Sequence, residues 1–439
     1  MSKSQRHKKY MHYIKNKYEF DSSDDDDDDG SDSYQNALMS SLVALSNRSR
    51  ESSDDKTEEK KPTESRIEFV KNLLDGNKLK GMIDFDACNT ETATSMRLNK
   101  KIMDIRELFN SMNVKLKYLK SGTTGHTFKA ISTIDKNTAF AVKVCAYPKD
   151  DYGPMNSIAR PENAELRMLK LLSYFVVNGR TPHLVLPVGT FNTSITNFIK
   201  VPKNIIDIND KKNEMYKNFI ERYNEGEFED FVSVLISEWC NGGDLLDYIR
   251  KNYTTMTLRT WIVIIFQLLF TLALIHQKYP TFRHNDMKAN NILVQITDIK
   301  KNRPECRYRY NMDNTQFIIP NINLQIQIWD FDFACIDGII NNNKVNSPWT
   351  KKINISKKEN KYYDMHYFFN TLVSKRFFPQ FYEGGAPPEI IDFVDRIIPE
   401  KYRSGSRYVN KKGRFLLDTE YTTPYRVIMK DPLFEKYRF

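Results

Sequence analysis

The run His284-Asn285-Asp286-Met287-Lys288-Ala289-Asn290-Asn291 has the form H-x-D-x-K-x-x-N and leads into an apolar stretch, Ile292-Leu293-Val294. It supplies the groups that phosphoryl transfer needs. A carboxylate must orient an attacking hydroxyl, and Asp286 offers one. A lysine must neutralise charge on the moving phosphoryl group, and Lys288 is placed for that. A carboxamide oxygen must help to hold Mg²⁺, and Asn291 follows the carboxylate at the required spacing. A second metal carboxylate should close the next strand. Asp330 does so in Ile326-Gln327-Ile328-Trp329-Asp330-Phe331-Asp332. Either piece alone is a moderate signal; the two in order, with a lysine-bearing strand upstream, are a strong one.

That upstream strand is Phe140-Ala141-Val142-Lys143, whose lysine would reach the α- and β-phosphates of a nucleotide. On its own, Lys143 also fits an edge-strand lysine that extends its head to water. Glu165, on the helix that follows, is suitably placed to pair with Lys143, and Glu162 is the alternative partner. Ahead of this strand, Gly122 and Gly125 bracket a turn in which glycines would let the backbone approach phosphates. An ordinary hairpin turn has the same G-x-x-G form, and the lysine strand behind it gives the signal its value. The nucleotide-binding set on this turn is Lys120, Ser121, Gly122, Gly125 and Thr127. Ser237-Glu238-Trp239-Cys240-Asn241-Gly242-Gly243-Asp244 reads as a hinge. Backbone groups near Glu238 and Cys240 would bond adenine, and Asp244 would accept from a ribose hydroxyl. A strand, a turn and a helix N-capped by Asp244 is the plainer description, and the two are compatible.

These groups need elements to hold them. Val114 to Leu119 alternates as a half-buried strand should, and Thr127 to Ser132 and Ala139 to Cys145 continue the pattern. Pro161 to Leu172 reads as a helix with Leu166, Leu169 and Leu172 on one face. Leu184 to Gly189 and Phe231 to Ser237 are further strands, and beyond Gly243 the chain turns mainly helical. Trp261 to Ile275 is the most apolar run. It is shorter than the ~20 residues of a membrane span, is interrupted by Gln267, and reads as a buried helix. Residues 200–230 are polar and suggest an insertion; residues 297–321 suggest an inserted hairpin loop.

The chain has 439 residues, 40% of them hydrophobic, which allows a two-lobed enzyme with extra segments. A net charge of +10 is compatible with several acidic partners and identifies none. The five cysteines are widely spaced with no C-x-x-C pair, so neither a zinc site nor a disulfide framework is indicated, and a reducing compartment fits. The first twenty residues are polar and Lys-rich, unlike a secretory signal. Residues 1–65 read as a disordered tail with a basic start and an acidic run, Asp24 to Asp29, that repels itself and has nothing to bury. Residues 66–113 read as an extension packed on the catalytic domain, with no residue that suggests chemistry.

From about residue 114 to 439 the chain resembles eukaryotic-type protein kinases, and in particular the virion-associated serine/threonine kinase of poxviruses and its relatives in other large cytoplasmic DNA viruses. The narrower match lies in Asp330-Phe331-Asp332-Phe333, Gly338-Ile339-Ile340-Asn341, Tyr362-Tyr363-Asp364-Met365-His366-Tyr367-Phe368-Phe369 and Ile428 to Phe434. The resemblance implies an α+β, two-lobed fold: a small β-rich N-lobe over 114–237, a hinge over 238–244 and a larger helical C-lobe over 245–439. It implies ATP with Mg²⁺ (or Mn²⁺). Asp286 would be the catalytic base, Lys288 would contact the γ-phosphate, Asn291 and Asp330 would bind the metal, and Asp364 would brace the catalytic loop. Expected partners are proteins with serine or threonine acceptors, and virion proteins or an acidic membrane surface, with no specific nucleic acid. The expected locations are the virion and the host cytoplasm. Three departures stand out: Lys120 replaces the first glycine of the phosphate loop, Asn285 replaces the arginine before the base, and Asp332 replaces a glycine. A small-molecule kinase resembling choline or aminoglycoside phosphotransferases, and a catalytically weak pseudokinase scaffold, are the alternatives.

Overall fold

Alternating apolar residues in successive segments build one antiparallel sheet, which organises the first half of the chain. The computed structural model describes residues 62–85, 96–98, 100–121, 125–149, 151–200, 213–297 and 307–439. The tail expected over residues 1–65 lies outside them as far as residue 61, as do Gly122 and the side chains of Lys120 and Ser121.

Helices α1 (Pro62–Leu74) and α2 (Ile105–Ser111) precede the sheet. Strands β1 (Val114–Ser121), β2 (Gly125–Ser132) and β3 (Ala139–Pro148) then form a meander. On β3, Phe140, Val142, Val144 and Ala146 alternate inward, the period-two pattern of a pleated strand. Helix α3 (Pro161–Val177) starts with proline at its first position. It runs five residues past the expected end at Leu172, because Ser173 to Val176 are also buried. After it come β4 (Pro187–Ser194), α4 (Ile195–Ile199), α5 (Glu214–Asn224) and β5 (Phe228–Glu238), and the sheet order is β1-β2-β3-β5-β4. The fourth strand sits later than the expected Leu184 to Gly189. Leu184, Val185 and Leu186 are buried, but the ladder to β5 begins only at Pro187.

Two flanking segments pack against the sheet. The polar stretch over 200–230 contains α5, and its Tyr216 and Phe219 are buried against Phe198 and His126, with 4.7 Å between the His126 and Phe219 ring centroids. The extension before residue 114 packs along β4: Gly81 bridges to Gly189 and Ile102 to Asn192. Gly189 suits this close approach, since a Cβ would lie 2.7 Å from the Leu79 side chain.

The second half is mainly helical. Helices α6 (Leu245–Asn252) and α7 (Leu258–Lys278) lead to a 3-10 turn, Ala289–Asn291. Helix α7 is the one helix among the described residues long and apolar enough to cross a membrane, yet 83% of its most apolar stretch is buried inside the protein. Strands β6 (Ile292–Ile296) and β9 (Leu324–Ile328) pair antiparallel, and β7 (Arg307–Met312) and β8 (Thr315–Pro320) form a hairpin between them. The hairpin packs on α7, with Tyr310 and Phe317 each 5.2 Å from Phe266. Four helices follow: α8 (Pro348–Lys351), α9 (Tyr363–Leu372), α10 (Pro388–Ile397) and α11 (Pro424–Lys430). The whole is a mixed α/β fold with a β-rich first half.

The extension also delivers a half-buried lysine. Lys100 donates to Tyr147 Oη at 2.7 Å, Asn163 Oδ1 at 2.9 Å and Ser233 Oγ at 2.7 Å. Burial pushes its pKa down to about 7, against the pull of Glu162. The unfolded chain therefore binds more protons than the folded one above pH 7. Stability should rise from pH 7 to pH 9, with a slope of up to ~1.4 kcal/mol per unit from this group. Urea denaturation at pH 7, 8 and 9 should show that slope in the wild type and a flatter one in Lys100→Met. Equal slopes would contradict the assignment.

Candidate active site

The loop between α7 and β6 is shaped by a carboxylate beneath it. Asp364, fully buried near the start of α9, accepts from the backbone N–H groups of His284 at 2.7 Å and Asn285 at 2.9 Å. Asn285 and Asp330 both take left-handed backbone, with φ of 63° and 62°. Asparagine and aspartate tolerate that region better than most residues. His284 joins the two loops. Its Nε2 lies 3.0 Å from the Trp329 carbonyl, which can only accept, so Nε2 carries the proton. Its Nδ1 then accepts from the Asp286 N–H at 3.3 Å.

Asp286 is 8% exposed and both its carboxylate oxygens are engaged. Asn291 Nδ2 donates to Oδ2 and to the Asp286 carbonyl, each at 2.9 Å. Lys288 Nζ lies 3.7 Å from Oδ2. Arg414 Nη2 donates to Oδ1 at 2.5 Å. Burial pushes the Asp286 carboxyl up, but Lys288 and Arg414 outweigh it and hold the group below its ordinary value. With its amide nitrogen facing Asp286, Asn291 leaves its carbonyl oxygen as the atom that could meet a cation.

Across the site, Lys143 Nζ lies 2.6 Å from Glu165 Oε1 and 3.0 Å from Asp330 Oδ1. Glu162, the other candidate partner, pairs instead with Arg160 at 3.1 Å. Burial opposes the Lys143 charge, yet Asp330 and Glu165 hold its pKa well above the ordinary lysine value. The same contact overcomes burial at Asp330 and holds that carboxyl far down. Asp332 is ion-paired with Lys344, whose ammonium also lies 4.2 Å from the Phe333 ring. Thr127 faces Lys143 across the β2–β3 ladder. Gly125 leaves space there: a Cβ would sit 3.2 Å from Cys145 Sγ and 3.7 Å from Lys143 Cε. These residues could hold a nucleotide's phosphates and a divalent cation between Lys143 on one side and Asn291 and Asp330 on the other.

At the end of β5, Glu238 donates its N–H to Leu186 O at 3.1 Å and accepts the Leu186 N–H at 2.8 Å. Its carboxylate is ion-paired with Arg66 of α1, whose Nε donates at 2.9 Å. Arg66 also donates to the carbonyls of Pro182 and Leu184, at 2.6 and 2.7 Å. The Cys240 thiol donates to Gln327 Oε1 at 3.0 Å, and burial pushes its pKa well up. Asp244 N-caps α6, accepting from Asp247 N–H at 3.0 Å. Arg66 and Lys100 of the extension thus make polar contacts with the sheet and its flanks. No sequence pattern flags Arg66, because its partner lies 172 positions away.

The segment after Asp330 is tied to the loop by hydrogen bonds from Asn285 and Arg283. Asn285 Nδ2 donates to Phe333 O at 3.1 Å and Ser356 O at 3.0 Å. Arg283 donates to Ser356 Oγ at 2.8 Å and Asn354 O at 3.0 Å, with its guanidinium 3.7 Å from the Tyr363 ring. Arg283 and Arg414 were not among the residues the sequence singled out.

The chain is similar to several known proteins. The family described as "Poxvirus serine/threonine protein kinase" matches residues 195–383. Two proteins of Acanthamoeba polyphaga mimivirus, each named "Putative serine/threonine-protein kinase", are similar to the chain. One is 67% identical over 424 residues, covering 97% of this chain and 90% of the relative. The other is 25% identical over 366 residues, covering 72% and 88%. An uncharacterized protein of the same virus is 23% identical over 312 residues, covering 68% of this chain and 33% of its own length.

Removing Arg66 would strand the Glu238 carboxylate in a buried place with one backbone donor. Arg66→Met should cost on the order of 3–5 kcal/mol, the usual result of breaking a buried pair from one side. Adding Glu238→Gln should recover part of the loss. Denaturant titration of the three variants reads this, and a loss below ~1 kcal/mol would show that the pair behaves as an exposed one.

Proposed function

Since the chain belongs to the poxvirus-type serine/threonine protein kinase family, we propose that it transfers the γ-phosphoryl group of ATP to serine or threonine hydroxyls of proteins. The observation that carries this reading is the meeting of two ion-paired clusters. Lys143, Glu165 and Asp330 form one, and Asp286, Asn291 and Lys288 form the other, with His284 bonded to the backbone of both loops. A catalytically weak scaffold would have little use for all of these groups held together.

In this reading each group has a role. Asp286 orients the acceptor hydroxyl and takes its proton as the oxygen bonds to the γ-phosphorus. The bond from that phosphorus to the β–γ bridging oxygen breaks, and ADP leaves. Lys288 stabilises charge on the transferring group. Lys143, fixed by Glu165, holds the α- and β-phosphates. Asn291 and Asp330 would hold Mg²⁺ (or Mn²⁺), which when bound neutralises phosphate charge; such ions keep few protein ligands at nucleotide sites. Lys120, Ser121, Gly122, Gly125 and Thr127 cover the phosphates. Backbone groups near Glu238 and Cys240 receive adenine, and Asp244 receives the ribose. In this reading 114–237 and 245–439 act as two lobes about a hinge at 238–244, with insertions near 200–230 and 297–321. Protein acceptors of the virion and host cytoplasm are the proposed substrates.

Asp286→Asn should lower transfer by about 10²–10⁴-fold, the span of a general-base contribution, while nucleotide binding persists. Phosphate incorporation from labelled ATP into a generic protein acceptor, with choline as a control acceptor, reads this. Near-normal turnover in the variant, or wild-type transfer to choline alone, would overturn the proposal.

Asn285 and Arg283 already hold the segment from Cys335 to Lys361 without a phosphate. Phosphatase-treated protein, with phosphate loss confirmed by intact mass, should therefore keep its initial rate. A tenfold drop, about 1.4 kcal/mol in barrier, would point to a phosphate reader elsewhere.

A further inference from the structure

We infer that Arg414 is a positioning residue for the catalytic base, carried to it by a strap over residues 409–420. The inference rests on the proposed phosphotransfer.

The strap is built to be rigid. Val409 bridges to Phe415, and Asn410 turns the chain: its Oδ1 accepts the N–H groups of Lys412 at 2.9 Å and Arg414 at 3.0 Å. Gly413 has φ of 82°, where a side chain would be strained, and Asn370 of α9 donates to its carbonyl at 2.8 Å. Phe415 is locked among Tyr362, His366 and Tyr402, with ring centroids 5.5, 4.7 and 5.0 Å away. Beyond it, Phe415 O accepts from Asn354 at 2.7 Å, and Asp418 pairs with Lys358 at 2.8 Å. One strap thus holds both the base and the segment after Asp330.

Arg414 is 2% exposed. One nitrogen donates to Asp286 Oδ1 at 2.5 Å; the other donates to the Asn285 carbonyl and, at 3.3 Å, to Tyr363 Oη. The guanidinium lies 4.3 Å from the Tyr367 ring. Arg414 fixes one carboxylate oxygen while Asn291 fixes the other, so the group cannot rotate. Each oxygen has a further lone pair with which to receive the hydroxyl. The groups facing Asp286 are Lys288 and His284 on its own loop, Asp330 after β9, Tyr367 on α9 and Arg414 on the strap. Of the cations, Lys288 and Arg414 depress its pKa, in that order, against burial.

The test uses full-length protein and compares wild type with Arg414→Gln, Arg414→Lys and Arg414→Ala. Folding is checked by circular dichroism, and kcat and KM for ATP are measured with a protein acceptor. Arg414→Gln should lower kcat on the order of 10²-fold, as expected for a misplaced reacting group, with little change in KM for ATP. Arg414→Lys keeps the charge without the planar fork, so kcat should fall there too. Added guanidinium ion should restore rate to Arg414→Ala. Wild-type kcat in folded Arg414→Gln or Arg414→Lys would overturn the inference. So would a lower kcat in Arg414→Gln with KM for ATP raised alongside it and no guanidinium rescue in Arg414→Ala, which marks a structural role. Should Arg414→Gln and Arg414→Ala fail to fold, the kcat of Arg414→Lys decides. A wild type that transfers phosphate to neither protein nor choline would remove the phosphotransfer reading itself, and this inference with it.

Discussion

Two consecutive backbone N–H groups, those of His284 and Asn285, converge on the fully buried carboxylate of Asp364. Much of the site depends on that contact. A buried carboxyl with two backbone donors has its remaining partners dictated by position, so the loop above it has little freedom. It bends through left-handed backbone at Asn285 and presents Asp286 on the next residue. His284 passes the constraint on, because one ring nitrogen is bonded to the peptide of Trp329 and the other to that of Asp286. The backbone at Asp330 is therefore set by the same anchor.

Electrostatics explains why so many charges tolerate burial there. A buried ion is costly unless paired and hydrogen-bonded. Asp286 faces two cations, and Lys143 faces two anions. Asp332 is neutralised by Lys344, which leaves Asp330 as the carboxylate that meets Lys143. The excess positive charge around Asp286 offsets the excess negative charge around Lys143, so the two clusters together are balanced before any ligand arrives. A phosphate with its metal adds charges of both signs, and so need not leave the clusters unpaired.

Much of this was legible in the sequence because it is local. The spacing of Asp286, Lys288 and Asn291 puts them on one loop, and period-two alternation marks β1 to β3 around Lys143. Choosing Glu165 over Glu162 needed the structure, since both sit in the first turns of α3. Residues that act across long separations were invisible. Arg414 lies 128 positions from Asp286, in a basic run, Lys411-Lys412-Gly413-Arg414, that reads as solvated surface. Arg66 and Lys100 were missed for the same reason, each an ordinary cation in a polar extension. Helix α5 was missed because the polar composition of its segment hid Tyr216 and Phe219, whose three-residue spacing was the available signal. The ends of α3 and β4 were displaced because burial continued past Leu172 and because pairing began only at Pro187.

The central claim is that these two clusters act on an alcohol side chain of a protein. Phosphoamino-acid analysis of an acceptor protein, after incubation with full-length chain, Mg²⁺ and γ-labelled ATP, addresses it most directly. The account predicts label on serine or threonine, and none when the metal is chelated. Label recovered only as inorganic phosphate, or protein label that persists without a divalent cation, would contradict it.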